Sequence, residues 1–129
     1  MAIGLLVAGG VLEVRAFLTS ATIGIPSDLP WALAVFDVTR HPIALYRTLG
    51  MLILAGLLFW QGDFTRPGRV VGWAIFGYAL LRLLADGFLA DAATISGIRV
   101  SQLIALAVAL GAVLMLSGSA FEEKENQAE

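Results

Sequence analysis

The stretch from Pro42 to Trp60, PIALYRTLGMLILAGLLFW, determines the fold class of this chain. Its 19 residues include only one charged side chain, that of Arg47. A helix of this length rises about 1.5 Å per residue and so crosses roughly 30 Å, the thickness of the hydrocarbon core of a bilayer. Proline is favoured in the first turn of a helix, which makes Pro42 a suitable start. The stretch predicts a transmembrane helix.

Two further stretches have the same character. The second predicted span runs from Val70 to Leu84 or beyond and carries Arg82 and Asp86 near its end. The third runs from Val100 to Leu116 and contains no charged residue. Polar links that contain glycine separate the three spans, at residues 61–69 and 91–97.

The composition of the whole chain agrees with a membrane protein. Of its 129 residues, 59% are hydrophobic and only 14% are charged, with a mean hydropathy of +0.88. A soluble domain carries about 25% charged residues, because water must cover its surface. We therefore predict an all-α integral membrane bundle. It consists of one membrane domain over residues 1–116 and a polar, frayed C-terminal tail over residues 117–129.

Several function classes are excluded at this stage. The chain has no cysteine, which rules out structural disulfides, thiolate metal sites and a cysteine nucleophile. Its net charge is −2, four of its ten acidic residues lie in the last eight positions, and no basic stripe indicates nucleic-acid binding. We predict neither a metal site nor a cofactor.

Residues 1–20 predict a shorter N-terminal span. The segment from Met1 to Leu12 is apolar but lacks the basic opening of a signal peptide, so we expect it to be retained. A helix that continues to Ser20 carries Glu13 and Arg15 into the membrane. Two positions apart, these side chains do not share a helix face, so each needs a partner elsewhere or a water-filled pocket.

The next residues predict a return to the membrane surface. Residues 24–30, GIPSDLP, contain two prolines and predict a loop. Residues 31–36 predict an interfacial segment, because tryptophan, here Trp31, is enriched at the headgroup level. Arg66 and Arg69 lie between the first two spans, and the positive-inside rule places that loop and the C-terminal tail in the cytoplasm. Five polar residues then gather at the outer face: Arg40, His41, Arg82, Asp86 and Arg99.

Two candidate site residues precede the first span. His41 is the only histidine, and a neutral imidazole near the headgroups can accept a proton. Arg40 and His41 before Pro42 are equally well explained as the polar start of a helix. Tyr46, one turn further on, is most simply an aromatic residue that packs against lipid or protein.

The charges inside the spans have two explanations each. Arg47 is either a functional buried cation or the partner of Glu13 or Asp86 in a structural ion pair. Arg82 and Asp86, four residues apart, can pair along one helix face. Alternatively, the Arg82 guanidinium can bind a lipid phosphate. The amide of Gln102 needs a partner and is a weaker site candidate.

Glycines recur in the first two strong spans. Small residues allow membrane helices to approach closely, so we expect helix contacts at these positions. They are Gly50, Gly56, Gly72 and Gly77.

The run Arg40-His41-Pro42-Ile43-Ala44-Leu45-Tyr46 resembles the Arg-His-Pro-x-x-Leu-Tyr motif of the bacterial prolipoprotein diacylglyceryl transferases. Other landmarks of that family follow in the same order. Four stretches of this chain are similar to these landmarks: Gly24-Ile25-Pro26-Ser27-Asp28-Leu29-Pro30-Trp31, Arg66-Pro67-Gly68, Arg82-Leu83-Leu84-Ala85-Asp86 and Ser101-Gln102. The resemblance covers most of this chain but only the C-terminal half of a full-length enzyme.

The resemblance implies a reaction and its partners. The family moves a diacylglyceryl group from phosphatidylglycerol to the cysteine thiol of a lipoprotein signal peptide. It does so at the outer face of the bacterial cytoplasmic membrane and leaves glycerol phosphate. By this resemblance, His41 and Tyr46 are the catalytic candidates, and Arg40, Arg82 and Gln102 are expected to hold the lipid phosphate.

The chain also departs from the family pattern. Where the family has an arginine and a later glutamate, this chain has Glu13 and Arg47, and Arg15 lies two positions away. Asp86 replaces another glutamate. Two hypotheses follow: a shortened transferase that requires a second chain for the missing half, or a non-catalytic subunit of a larger membrane complex. Glu13, Arg15, Arg47 and Asp86 are expected to form structural ion pairs in either case.

Overall fold

The computed structural model describes residues 1–35, 37–61, 66–90, 92–95 and 97–126. It contains four α-helices, which are α1 (Ala2–Leu18), α2 (Ile43–Gln61), α3 (Pro67–Ala85) and α4 (Val100–Asn126). A one-turn 3₁₀ helix, Asp86–Phe88, follows α3 directly. About 70% of the chain is helical, which confirms the predicted all-α architecture.

Three of these helices are long and apolar enough to cross a membrane. The candidate spans are Ile43–Gln61, Gly68–Phe88 and Val100–Gly118. Helix α1 has 17 residues and is the shorter N-terminal helix that the sequence predicted. It continues past Leu12 and carries both Glu13 and Arg15.

Large apolar side chains lie on the outside of the bundle. Phe59 and Leu114 are 73% and 72% exposed, whereas the buried residues of the three long helices are mainly alanines, such as Ala44, Ala79 and Ala112. A water-soluble protein has the opposite distribution, with its large apolar residues inside. The chain is therefore a membrane protein whose helices contact one another through small residues and face lipid with large ones.

Two element boundaries differ from the prediction. Helix α3 begins at Pro67 rather than Val70, because proline is well suited to the first helical turn. Helix α4 continues past Leu116, the end of the predicted span, to Asn126. The serine, glutamate and lysine residues there are compatible with a helix. The interior of the first polar link, residues 62–65, and residues 127–129 lie outside the described residues.

Two small hairpins lie where the sequence predicted only loops or surface segments. Strands β1 (Leu33–Val35) and β2 (Val38–Arg40) pair antiparallel, as do β3 (Thr94–Ile95) and β4 (Ile98–Arg99). Strands of two or three residues are too short to produce an alternating apolar pattern, which is why the sequence did not predict them. Phe36, Asp91 and Ser96, which belong to the predicted segments, lie outside the described residues.

An extended segment, residues 23–27, connects the first hairpin to the end of α3. The Ile25 N–H donates to the Phe88 carbonyl oxygen at 2.9 Å, and the His41 N–H donates to the Ile25 carbonyl oxygen at 3.2 Å. A side chain at Gly24 would overlap the His41 backbone, so this close approach requires glycine. We call this part of the molecule the hairpin end; it comprises residues 23–27, 33–35, 37–41, 86–90, 94–95 and 97–99.

Glycines mediate the contacts between the long helices. A Cβ atom at Gly77 on α3 would lie 2.6 Å from the Leu54 Cδ1 atom on α2, and one at Gly72 would lie 2.7 Å from Leu116 Cδ2 on α4. Gly50 likewise faces Leu81. Gly56 faces open space, so the helix contact expected there was wrong.

The glycine contacts lead to a matched prediction for stability. Gly77→Ala forces Leu54 out of its position and should destabilise the bundle by about 1–3 kcal/mol, as overpacked interiors do. Gly56→Ala meets no neighbour and should leave stability unchanged or raise it by up to about 1 kcal/mol through helix propensity. Unfolding in mixed detergent micelles, followed by circular dichroism, measures both. Equal stability of the two variants would contradict the packing described here.

Candidate functional site

Three side chains form a hydrogen-bonded group at the hairpin end, which we call the His41 triplet. The Trp31 Nε1–H donates to the Tyr46 hydroxyl oxygen at 3.0 Å. The same hydroxyl lies 3.2 Å from His41 Nδ1. Tyr46 is located on the first turn of α2, and His41 lies two residues before that helix begins. The sequence analysis named His41 and Tyr46 as candidate site residues but did not predict the hydrogen bond between Tyr46 and Trp31.

The hydrogen bonds of the His41 triplet allow two tautomers of His41. Trp31 can only donate, so the Tyr46 oxygen uses one lone pair for it. In one tautomer Tyr46 donates to Nδ1, and Nε2 carries the proton. In the other, Nδ1–H donates to the second lone pair of Tyr46, and Nε2 is free to accept a proton. Only the second tautomer makes His41 a base.

His41 is held on a further side by an aromatic ring. The Phe88 ring centroid lies 4.9 Å from that of the imidazole, with 41° between the ring planes. Phe88 belongs to the one-turn helix after α3, which the extended segment 23–27 ties to His41 by backbone hydrogen bonds. The imidazole is half-buried and its orientation is determined by contacts with two different elements.

Arg40 and His41 border a cavity of about 280 Å³. The Arg40 Nη1 donates to the Gly24 carbonyl oxygen at 3.1 Å. Its Nε is buried and has no hydrogen-bond partner within the described residues. The cavity therefore has a guanidinium group and an imidazole on its wall, a combination that is suited to an anionic group.

A second group of polar residues lies among the helices, and we call it the four-charge network. Arg47 Nη1 donates to Glu13 Oε1 at 3.4 Å, and Arg47 Nη2 donates to Asp86 Oδ1. Arg82 holds the other oxygen of the same aspartate, with Nη2 at 2.9 Å and Nε at 3.1 Å from Oδ2. Asp86 is fully buried, and Arg47 is 5% exposed.

The four-charge network makes charges tolerable inside an apolar bundle. Two carboxylates and two guanidiniums sum to zero, and Asp86 receives hydrogen bonds from both arginines. Burial of an unpaired charge costs several kcal/mol, so each member depends on the others. In this structure Arg47 lies between Glu13 and Asp86 rather than on the cavity wall at the hairpin end.

The remaining candidates lie around these two groups. Gln102 donates its amide to the Leu83 carbonyl oxygen at 3.2 Å. Arg82 and the buried hydroxyl of Ser101, which has no partner among the described residues, border a separate cavity of about 290 Å³ between α3 and α4. Arg15 is exposed, and no side-chain partner for it is found in the described part of the chain.

The sequence reasoning missed the role of Arg99. This side chain donates to the Asp86 carbonyl oxygen at 2.7 Å and to the Leu89 carbonyl oxygen at 2.9 Å. It thereby closes the end of α3 and holds the turn that carries Asp86 and Phe88. Its position directly before an uncharged span was the only clue in the sequence.

The one-turn helix Asp86–Phe88 connects the two groups. It begins with the buried acid of the four-charge network and ends with the ring that packs on His41. Fold and site together define a membrane-embedded helical protein with a cavity bordered by Arg40 and His41 at one end of the bundle.

Comparison with known proteins places the chain in a family. A family model described as prolipoprotein diacylglyceryl transferase matches residues 1–117. Three similar proteins all bear the name phosphatidylglycerol–prolipoprotein diacylglyceryl transferase. The one from Finegoldia magna is 30% identical over 77% of this chain and 41% of its own length. The one from Polynucleobacter necessarius is 40% identical over 54% and 29%, and that from Gloeobacter violaceus is 29% identical over 85% and 46%.

The chain therefore belongs to the prolipoprotein diacylglyceryl transferase family. It spans about two fifths of the length of the first of these relatives. No solved structure matches it closely enough to count as similar. The structure brings Glu13 and Arg47 into contact across α1 and α2.

The four-charge network leads to a second stability prediction. Arg47→Met leaves Glu13 and one oxygen of Asp86 without their counter-ion and should destabilise the bundle by about 3–5 kcal/mol. Arg15→Met, the same substitution at an exposed position of α1, should change stability by no more than about 0.5 kcal/mol. Denaturant unfolding in micelles provides the measurement. A cost at Arg47 as small as that at Arg15 would show that the network does not hold the helices together.

Proposed function

We propose that this chain binds the head group of phosphatidylglycerol in the cavity beside Arg40 and His41. We further propose that it acts in the transfer of the diacylglyceryl group to the lipobox cysteine of a lipoprotein signal peptide. One observation carries the proposal: the His41 triplet presents a positioned imidazole next to a guanidinium with an unused donor. The names of the relatives, which describe this reaction, support the choice of lipid.

The transfer requires a proton acceptor and an anion site. In the proposed step, the cysteine thiol gives its proton to His41 Nε2. The thiolate sulfur then attacks the carbon of the diacylglyceryl group that is bonded to the phosphate oxygen. A carbon–sulfur bond forms as the carbon–oxygen bond to phosphate breaks, and glycerol phosphate leaves with the bonding electrons. Arg40 stabilises the negative charge on the leaving group, and the proton on His41 can return to it.

The same proposal includes an orientation. Arg66 and Arg69 border the end of the bundle opposite the hairpin end, and the positive-inside rule places them in the cytoplasm. The hairpin end then faces outward from a bacterial cytoplasmic membrane, where the lipoprotein signal peptide emerges. The C-terminus is cytoplasmic in this arrangement.

A second candidate function is a non-catalytic, lipid-binding subunit that acts with another membrane chain. One observation favours it: Arg47 and Arg82 both direct their guanidinium groups to Asp86. Arg40 is then the main cation left for a lipid phosphate at the hairpin end. Phosphate binding by one arginine supports recognition of a lipid better than it supports stabilisation of a transition state.

Turnover by the purified chain tests the first candidate. In phosphatidylglycerol vesicles with a lipobox peptide, the chain should release glycerol phosphate. His41→Ala should lower the rate by about 10²–10⁴-fold, the usual contribution of a general base. Tyr46→Phe, which keeps the ring but removes the oxygen that orients His41, should lower it less. Arg15→Gln is the control at an exposed site and should leave the rate unchanged.

The outcomes separate the two candidates. Release that depends on His41 supports the transferase. Absence of release, together with saturable phosphatidylglycerol binding that Arg40→Gln removes, supports the non-catalytic subunit. Absence of both release and binding contradicts the proposed site.

A further inference from the structure

A groove runs along the side of the bundle between α1 and α3, away from the cavity at the hairpin end. It has a volume of about 480 Å³, and its walls are almost entirely apolar. Met51 of α2 forms part of its floor. The α1–α3 groove begins near Met1 and ends at Glu13 and Tyr78. Met1 and Glu13, at the two ends of the groove, are twelve positions apart, which corresponds to about 18 Å along a helix and is close to the depth of one bilayer leaflet.

The groove opens toward the surface of the bundle. Leu5 and Leu12 on one wall are 66% and 64% exposed, and Ile75 on the other wall is 38% exposed. In a membrane these side chains face lipid. An acyl chain can therefore enter the groove from the side without displacing a helix.

Glu13 gives the groove a polar end with an unsatisfied hydrogen-bond acceptor. Its Oε1 accepts one long hydrogen bond from Arg47 at 3.4 Å, whereas its Oε2 is buried and has no partner in the ranges that the structure describes. A carboxylate only accepts hydrogen bonds, so the missing partner is a donor. Charge-assisted bonds to carboxylates are normally about 2.7–2.9 Å long, so Arg47 satisfies Glu13 poorly.

The distribution of charge in the four-charge network points the same way. Asp86 contacts three nitrogen atoms that belong to both arginines, whereas Glu13 contacts one nitrogen atom of Arg47. The end of the network at Glu13 is therefore the negative one. It repels an anionic head group and attracts a cationic one.

From this geometry we propose that the α1–α3 groove binds a membrane lipid whose head group carries a primary ammonium. The acyl chain lies along the groove between Leu5 and Ile75, and the ammonium donates a hydrogen bond to the Glu13 carboxylate. The site is separate from the phosphate site proposed beside Arg40. It requires a cationic group on its ligand, whereas the site beside Arg40 requires an anionic one. Phosphatidylethanolamine is a bilayer lipid of this chemistry.

Native mass spectrometry of the full chain in non-ionic detergent tests the proposal. Delipidated protein carrying Arg40→Gln, which removes the phosphate site at the hairpin end, is titrated with phosphatidylethanolamine or with phosphatidylglycerol of the same acyl chains. The ethanolamine lipid should bind about tenfold or more tightly than the glycerol lipid, as one charge-assisted hydrogen bond allows. Equal binding, or tighter binding of phosphatidylglycerol, overturns the proposal.

Variants of the groove locate the binding. Glu13→Gln, which removes the charge but keeps the shape, should abolish the preference for the ammonium lipid. Ile75→Trp fills the groove without touching the four-charge network, so it should weaken binding of phosphatidylethanolamine by about tenfold even if Glu13→Gln alters the fold. Arg15→Gln, on the same helix, should bind as the parent does. An unchanged preference in Glu13→Gln, or unchanged affinity in Ile75→Trp, overturns the proposal.

The test of the groove does not depend on whether the proposed transferase function is correct. Phosphatidylglycerol binding that Arg40→Gln removes and Glu13→Gln leaves intact belongs to the hairpin end. Absence of any ethanolamine preference in the Arg40→Gln protein, whose Glu13 is intact, together with phosphatidylglycerol binding at the hairpin end of the parent protein, would refute the groove alone.

Discussion

The Asp86 carboxylate, fully buried and shared by two arginines, is the interaction on which the rest of the structure depends. Arg82 reaches it from the same helix, and Arg47 reaches it from α2. Arg47 also contacts Glu13 on α1, so the network around this carboxylate joins three helices. In an apolar surrounding, unpaired charges are costly, and this requirement orients the helices about their axes more strictly than apolar packing can.

The same residue connects the bundle to the site. Asp86 begins the one-turn helix whose last residue, Phe88, packs on His41. The Asp86 carbonyl oxygen accepts a hydrogen bond from Arg99 at the start of α4. The position of the imidazole thus depends on the four-charge network, through Asp86 and Phe88, and on the backbone hydrogen bonds of residues 23–27. Any movement of α3 along its axis would be transmitted to His41.

The membrane spans were predictable because hydropathy acts on whole segments and needs no partner. The hairpins were not, since their strands are two or three residues long and are stabilised by pairing with distant backbone. For the candidate site, the sequence named His41 and Tyr46, and the structure brings them within hydrogen-bond distance. Contacts such as that of Trp31 with Tyr46, or of Arg99 with two carbonyl oxygens, depend on how separate segments meet. For Arg47 the sequence offered Glu13 or Asp86, and the structure shows contact with both.

The distribution of the four charges has a consequence for biogenesis. Helix α3 carries Arg82 and Asp86 four residues apart, and it can enter the bilayer with an internal pair. Helix α2 carries Arg47 as its one charged residue, and α1 carries Glu13 on a different face from Arg15. Each of these two charges costs up to about 2.5–3.5 kcal/mol, the value for a charge at the centre of an isolated inserted helix. Stable integration of the first two helices therefore depends on their association with each other and with α3. The order of synthesis makes α3 the segment whose arrival completes the neutral cluster and retains the earlier helices in the membrane.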